Sequence, residues 1–225
     1  KCDHVDFNFG CPAQQITCTG AGAALMKYPK KVKEIVAAMV SVSNKPITVK
    51  MRLGLDDKTM NVVDIAKNVE EAGAAAVAVH GRTLDQKYMG TAHWGMIKKV
   101  KDAVDIPVIG NGDVVDEERA LQMFQETNVD AVMLGRAAVG NPFIFSRINY
   151  YLQTGKKLKQ KETLDIFDEY LALWEKHEGL KFSNLRMQVG YFTRGLEGGK
   201  YLRKELVSAK NIDEIKIVLE RFKRE

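Results

Sequence analysis

The chain has 225 residues, 45% of them hydrophobic, and carries a formal net charge of +5, so it is long enough for one large domain and a smaller one. No apolar run approaches the roughly 20 residues that cross a bilayer, and the first residues lack the apolar stretch of a signal peptide, so we expect a soluble, cytoplasmic protein with no membrane partner. The three cysteines, Cys2, Cys11 and Cys18, are too few for a disulfide framework and lack CxxC spacing, which predicts reduced thiols and no bound metal.

Residues 1–145 alternate between short apolar runs and helical patterns. The runs are rich in Val, Ile and Ala and are mostly apolar on both faces, as parallel strands buried on both sides are. This alternation predicts βαβ units and a parallel sheet. The predicted strands are 5–9, 47–51, 75–80, 107–110 and 130–135. The predicted helices are 21–42, 60–72, 93–103 and 116–127.

The pattern changes near residue 154, where a basic connector at 155–161 precedes helical patterns and no convincing strand. The predicted helices there are 162–178, 183–194 and 211–223. We therefore predict two domains, residues 1–153 and a small all-helical domain at 154–225. Residues 151–225 hold 16 basic and 12 acidic residues. That excess of base suggests a polyanionic partner, with a solvated helix surface as the alternative.

The five predicted strands suggest part of a larger barrel. A TIM-type (β/α)8 barrel has eight strands, and the loops after its strands seven and eight commonly bind phosphate. Here the last two strands end in GNGD at 110–113 and GR at 135–136. If these are strands seven and eight, the chain holds strands 4–8 of such a barrel, and we expect an N-terminal segment to be absent.

Cys11 follows the first predicted strand within the segment NFGCP at 8–12. Active sites of such barrels lie at the carboxyl ends of the strands. A thiol that keeps its proton near neutral pH can serve as an acid. An inert core cysteine is the alternative, but the position favours function, and Cys2 and Cys18 are predicted to be non-catalytic.

The next two strands end in basic residues. Lys50 and Arg52 share one face of their strand, and a buried lysine without an anionic partner is costly. Lys50 therefore forms either a structural ion pair or a cation beside an electron-rich ring or phosphate. His80 is followed by Gly81 and Arg82; it is either a satisfied core histidine or, as its strand end favours, a functional one.

The last two strand ends carry a signal for phosphate. Each offers backbone N–H groups close to a helix start, where the helix dipole favours an anion. Arg136 adds a guanidinium fork. Two such motifs at successive strand ends predict a phosphorylated cofactor.

Taken in order and spacing, these motifs resemble the tRNA-dihydrouridine synthase family. The segments that carry the resemblance are NFGCP at 8–12, GAGAALM at 20–26, KMRLG at 50–54, HGRT at 80–83, PVIGNGDV at 107–114 and VMLGRAAVGNP at 132–142. Arg186, the stretch YFTRG at 191–195 and Arg203 also fit the family's pattern, so the resemblance covers essentially the whole chain. The family's N-terminal strand and flavin-covering loop, and a further strand, are missing here, so the implied activity belongs to the intact protein.

The resemblance implies an FMN-containing barrel, a reductant of the NADPH type and a tRNA substrate. Hydride from the reduced flavin would reach C6 of uracil while Cys11, similar to the family's general acid, protonates C5. Lys50 and His80 look like contacts to the polar edge of the flavin. The residues that look like its phosphate and ribityl cradle are Asn111, Gly112, Asp113, Gly135 and Arg136. Those expected to contact the uridine are Asn8, at the uracil edge, with Arg52 and Arg82.

The target base must leave its stack to react, and the resemblance implies that the helical domain of a monomer grips folded tRNA by shape and phosphates. The candidate contacts are Lys156, Lys157, Lys159, Lys181, Arg186, Arg194, Lys200, Arg203 and Lys204.

Three alternatives stay open at this point. The first is a small-molecule FMN barrel of the dihydroorotate dehydrogenase type, against which the basic helical tail counts. The second is a non-catalytic tRNA-binding module with a degraded flavin site, against which Cys11, Lys50, His80 and Arg136 count. The third is a phosphate-binding barrel without flavin, which a yellow purified protein would exclude.

Overall fold

The structure, a computed structural model, describes residues 2–177 and 181–224. The chain divides into two compact units, Lys1–Gly135 and Arg136–Glu225, whereas the sequence suggests a boundary after residue 153. Residues 136–153 group with the helical unit for a visible reason. Gly140 lies so close to Tyr191 that an added Cβ would sit 2.7 Å from the Tyr191 carbonyl carbon.

The first unit is built on five parallel strands in consecutive order. They are β1 Val5–Asn8, β2 Ile47–Met51, β3 Ala76–His80, β4 Val108–Asn111 and β5 Ala131–Met133. The predicted parallel sheet is confirmed. The prediction for β2 matches its bounds, and the other four agree within two residues. Consecutive parallel strands with a helix after each of the first four are what part of a TIM-type barrel shows.

The helices of the first unit follow the strands. They are α1 Gln14–Thr17, α2 Pro29–Val42, α3 Val62–Glu71, α4 Trp94–Lys101 and α5 Glu117–Thr127. The single helix predicted at 21–42 is divided into a short 3₁₀ helix, Gly22–Lys27, and α2, which begins at Pro29. Proline suits the first turn of a helix because its missing N–H would have no partner there.

The sheet has two different faces, because successive side chains of a strand point to opposite sides. On one face Val49, Met51, Val77, Val79 and Val108 are completely buried. The opposite face is polar towards the strand ends. There the register places Asn8 beside Lys50 on β1 and β2, and His80 beside Asn111 on β3 and β4.

Regular structure in the described part of the second unit is helical. Its helices are α6 Ile144–Thr154, α7 Thr163–Lys176, α8 Phe182–Phe192, α9 Gly199–Ser208 and α10 Ile212–Arg224. The helix predicted at 162–178 corresponds to α7; residue 178 lies outside the described residues. Phe167 and Phe192 stack with ring centroids 4.6 Å apart in a core that also buries Leu185, Leu202 and Leu206. In the described parts of both units, no helix has the length and apolar character needed to cross a membrane.

Candidate active site

Cys11 lies in a loop whose backbone is fixed on both sides. The Asn8 side-chain oxygen accepts a hydrogen bond from the Gly10 N–H at 3.0 Å, which turns the chain directly after β1. The Cys11 carbonyl accepts one from the Ala23 N–H at 3.0 Å, and an added Cβ on Gly22 would lie 2.8 Å from that carbonyl oxygen. Cys11 is a half-buried free thiol, whereas Cys2 and Cys18 are exposed.

Lys50 presents a half-buried ammonium group near the end of β2. Within residues 2–177 and 181–224 it has neither a hydrogen-bond partner nor an ion-pair partner. Burial and the charge of Arg52 lower the pKa of Lys50 from its ordinary value, and Asp6 opposes this shift. A cation in this condition is suited to an anionic or electron-rich ligand.

His80 is buried at the end of β3, among positive charges. Burial, followed by the charges of Arg52, Lys50 and Arg82, lowers its pKa to about 3, against a smaller opposing effect of Asp113. The imidazole is therefore neutral near physiological pH. It can donate one hydrogen bond and accept another, and it does not act as a cation.

Arg52 is only 2% exposed, and its hydrogen bonds go to main-chain carbonyls. Nε donates to Gly10 at 2.9 Å, and Nη1 donates to both Thr83 and Lys87 at 2.8 Å. The Nη2 group has no partner among the described residues. The predicted contact between Arg52 and the uridine stays a prediction. In the structure, two of the three guanidinium nitrogens donate to main-chain carbonyls.

Arg82 and Asp113 were predicted as separate ligand contacts, and the structure brings them together. Arg82 Nη2 donates to the two carboxylate oxygens at 2.8 and 2.9 Å. Arg82 also donates to the carbonyls of Met89 and Gly90, at 3.0 and 2.6 Å. Its Nη1 is buried without a partner in the described part of the chain.

Two side-chain hydrogen bonds stabilise the GNGD turn after β4. The Trp94 indole N–H donates to the Gly112 carbonyl at 3.0 Å, and the Asn111 side-chain amide donates to the Met133 carbonyl at 2.8 Å. The Gly112 N–H has no partner among the described residues. Gly135 ends the first unit, is exposed and would accept a Cβ without contact. Arg136 opens the second unit in a short 3₁₀ helix and is described with that unit.

Three aromatic or basic residues of this region were not predicted from the sequence. The Tyr88 ring lies 5.6 Å from Arg52 Cζ and 6.4 Å from the His80 ring. Arg119 Cζ lies 4.1 Å from the Trp94 ring, which fixes the indole beneath the GNGD turn. Tyr88 could have been suggested from the sequence, because it is an aromatic residue in the loop after β3, the strand that ends in the candidate residue His80.

In the second unit, the predicted tRNA contacts are mostly exposed. Arg203 is the exception, since its Nε donates to the Thr193 hydroxyl at 2.9 Å. Two clefts bring some of the candidates together. A groove of about 910 Å³ beside α9 is lined in part by Lys200, Arg203 and Lys204. A cleft of about 300 Å³ is lined by Gly190, Tyr191, Arg194 and Arg203. Among the residues described, no group of three or more potential metal ligands occurs.

This architecture is that of an α/β protein with a parallel sheet, a class whose ligand sites commonly lie at the carboxyl ends of the strands. The family model described as "Dihydrouridine synthase (Dus)" matches residues 1–225. The chain belongs to the dihydrouridine synthase family, which confirms the resemblance seen in its motifs.

Relatives of known name support the same assignment. The chain is 37% identical over 220 residues to the probable tRNA-dihydrouridine synthase 1 of Synechocystis sp., covering 96% of this chain and 62% of that protein. It is 40% identical over 195 residues to tRNA-dihydrouridine synthase B of Shewanella oneidensis, covering 84% of this chain and 60% of that protein. The chain thus spans about 60% of the length of the curated relatives it matches.

Proposed function

We propose that this chain carries the flavin-binding and uridine-binding edge of a tRNA-dihydrouridine synthase, which reduces uridine in tRNA to 5,6-dihydrouridine. The observation that carries the proposal is the strand register. It places Asn8 beside Lys50 and His80 beside Asn111, at the edge where the loop after β1 presents Cys11. We take the five strands as strands 4–8 of a TIM-type barrel in the whole protein, with FMN bound by the sheet unit.

The residues present suit FMN chemically. Lys50 is a half-buried ammonium without a partner among the described residues, and His80 is a neutral imidazole, so the pair would hold the polar edge of the flavin. The Gly112 N–H, which has no partner among the described residues, and the open Gly135 would hold its phosphate. Asn111 and Asp113 already bond within the protein, and they would shape the cradle. When bound and reduced by NADPH, FMN would supply the hydride that C6 of uracil receives.

Cys11 would complete the reduction as general acid. The Cys11 thiol would give its proton to C5 of the uracil C5=C6 bond, and the resulting thiolate would recover a proton from water. Asn8 would orient the base, because its side-chain oxygen is bonded to the Gly10 N–H while its amide N–H groups remain available to the uracil edge. The contacts of this loop would hold the backbone of Cys11 in place during this step.

The helical unit would bind the body of the tRNA. Its two clefts have guanidinium and ammonium groups beside exposed tyrosines, Tyr191 in one and Tyr201 in the other. Arginine and lysine suit phosphates, and tyrosine offers a stacking surface to a nucleoside. The exposed Lys156, Lys157, Lys181 and Arg186 would add attraction over a longer range.

The test uses the full-length protein, tRNA from a strain that lacks dihydrouridine, and NADPH. Digested tRNA is analysed by mass spectrometry for uridine that has gained two hydrogen atoms. Wild type and the control Cys18→Ala should both give the product, and Cys11→Ala should give little. A yellow protein that oxidises NADPH and leaves tRNA unchanged would contradict the proposal and favour a small-molecule flavin reductase.

A further inference from the structure

We propose that Arg52 is a positioning residue that ties the loop carrying Cys11 to the loop carrying Tyr88. The inference rests on the proposed function for its catalytic consequence and on geometry for the tie itself. Arg52 follows β2, the strand between β1 and β3. Its guanidinium reaches the loops that leave both neighbouring strands.

The hydrogen bonds define this tie. Nε binds the Gly10 carbonyl at 2.9 Å, and Gly10 directly precedes Cys11. Nη1 binds the carbonyls of Thr83 and Lys87, each at 2.8 Å, and Lys87 directly precedes Tyr88. One planar group therefore fixes the peptides next to both the thiol and the phenol. Only the fork geometry of arginine presents donors in these separate directions.

The backbone of Lys87 gives independent support. Its φ is +49°, a left-handed conformation that is uncommon for a residue with a side chain. Surrounding contacts must hold such a residue in place. Its carbonyl accepts from Arg52 Nη1, so the tie contributes directly to the conformation that orients Tyr88.

The electrostatics also distinguish Arg52 from Arg82, the other buried arginine at this edge. Arg82 has a carboxylate partner in Asp113. Arg52 has no carboxylate partner among the described residues, and its charge is solvated by neutral carbonyls. Burying a guanidinium in this way is costly. The cation that makes the tie lies beside Cys11 and Tyr88, where it also suits an anionic substrate.

The decisive variant is Arg52→Lys in the full-length protein, which keeps the charge and loses the fork. The single ammonium group of lysine cannot reproduce the three bonds of the guanidinium, so both loops lose their fixed partner. Amide hydrogen exchange should therefore rise about tenfold in segments 9–12 and 83–90 together, as expected when bonds of this strength are lost. Arg119→Lys is the matched control, because Arg119 lies on Trp94 and bonds neither loop. Unchanged exchange in either segment of Arg52→Lys would overturn the proposal.

A thiol probe gives a second readout that does not need activity. With Cys2→Ser and Cys18→Ser in place, Cys11 is the remaining cysteine of this chain, and its alkylation by iodoacetamide reports on the loop directly. Alkylation should be several-fold faster with Arg52→Lys and unchanged with Arg119→Lys. If Arg52→Lys does not fold, native-state exchange of the wild type decides. The tie predicts that both segments open in one step, and separate opening would refute it.

The catalytic consequence is measured last. Misplacing the thiol should lower kcat for dihydrouridine formation about 100-fold, with a KM for tRNA that stays close to that of wild type. If Arg52 instead acts only through its charge on the substrate, lysine should largely rescue kcat, and the two loops should stay ordered. Absence of dihydrouridine in the wild type would remove the proposed function and leave the exchange and alkylation results to judge the tie.

Discussion

Arg82 and Asp113 form an ion pair that joins the loop after β3 to the turn after β4. The two oxygens of Asp113 accept from Arg82 Nη2 at 2.8 and 2.9 Å, and Oδ2 also accepts from the Ala92 N–H at 2.7 Å. Asp113 has a left-handed backbone, with φ of +58°. The pair therefore helps to hold the GNGD turn, in which the Gly112 N–H has no partner among the described residues.

Removing the charge of Asp113 should destabilise the sheet unit. Arg82 is 2% exposed, so Asp113→Asn leaves a buried guanidinium without its counter-ion. We expect the free energy of unfolding to fall by about 2 kcal/mol. Asparagine tolerates the left-handed backbone, which confines the change to charge. Urea unfolding measures the loss.

The control for Asp113→Asn is the same substitution in an exposed pair. Asp102 and Lys98 are about half exposed, and Asp102→Asn should cost less than about 0.5 kcal/mol. Similar losses for the two variants would mean that the pair between Arg82 and Asp113 is no stronger than a surface contact.

Gly112 should resist substitution, whereas Gly135 should accept it. The φ of Gly112 is +124°, and an added Cβ would lie 2.8 Å from the Ala92 Cβ. Gly112→Ala should lower the free energy of unfolding by about 2 kcal/mol. Gly135→Ala meets no atom within 4 Å and should stay within about 0.5 kcal/mol of wild type. Denaturant unfolding of both variants tests this; a tolerated Gly112→Ala would show that the turn can relax.

The strands were predictable from sequence because five apolar runs of the right length stand between helix patterns, and burial against helices requires such runs. The helices α6 and α9 were not predicted. Helix α6 is rich in β-branched and aromatic residues, which are weak helix formers. It is helical although only Ile144 and Ile148 are buried. Helix α9 begins at Gly199, directly after Gly198 with φ of +67°, and glycines usually indicate a break. In α9, the burial of Leu202 and Leu206 overrides the local preference.

The candidate site was predictable in its residue types more than in its contacts. Cys11, Lys50 and His80 stand at strand ends, and strand ends can be located from sequence. The acceptors of Arg52 are carbonyls of Gly10, Thr83 and Lys87. Main-chain carbonyls have the same chemistry in every residue, so no sequence signal distinguishes these three. That is why an arginine expected to contact substrate is found holding loops.

His80 should make stability depend on pH. Its folded pKa of about 3 lies below the ordinary 6.5, so between these values the unfolded chain binds a proton that the folded chain does not. The stabilisation from neutral His80 is therefore complete above pH 6.5 and is lost as the pH falls towards 3. His80→Gln should flatten the decline of the melting temperature below pH 6.5. The exposed His93 provides the control His93→Gln, and an equal slope in wild type and His80→Gln would contradict the prediction.

The helical unit depends on the packing of α9 against its neighbours. Leu206 on α9 is completely buried, whereas Ile217 on α10 is 66% exposed. Leu206→Ala removes core contacts and leaves a cavity, so the free energy of unfolding should fall by about 3 kcal/mol. Ile217→Ala removes a side chain of the same size from the surface and should change it by less than about 0.5 kcal/mol. Urea unfolding of the two variants makes the comparison. A large loss with Ile217→Ala would mean that this side chain is covered in solution, and a small loss with Leu206→Ala would contradict the position of α9 in the core.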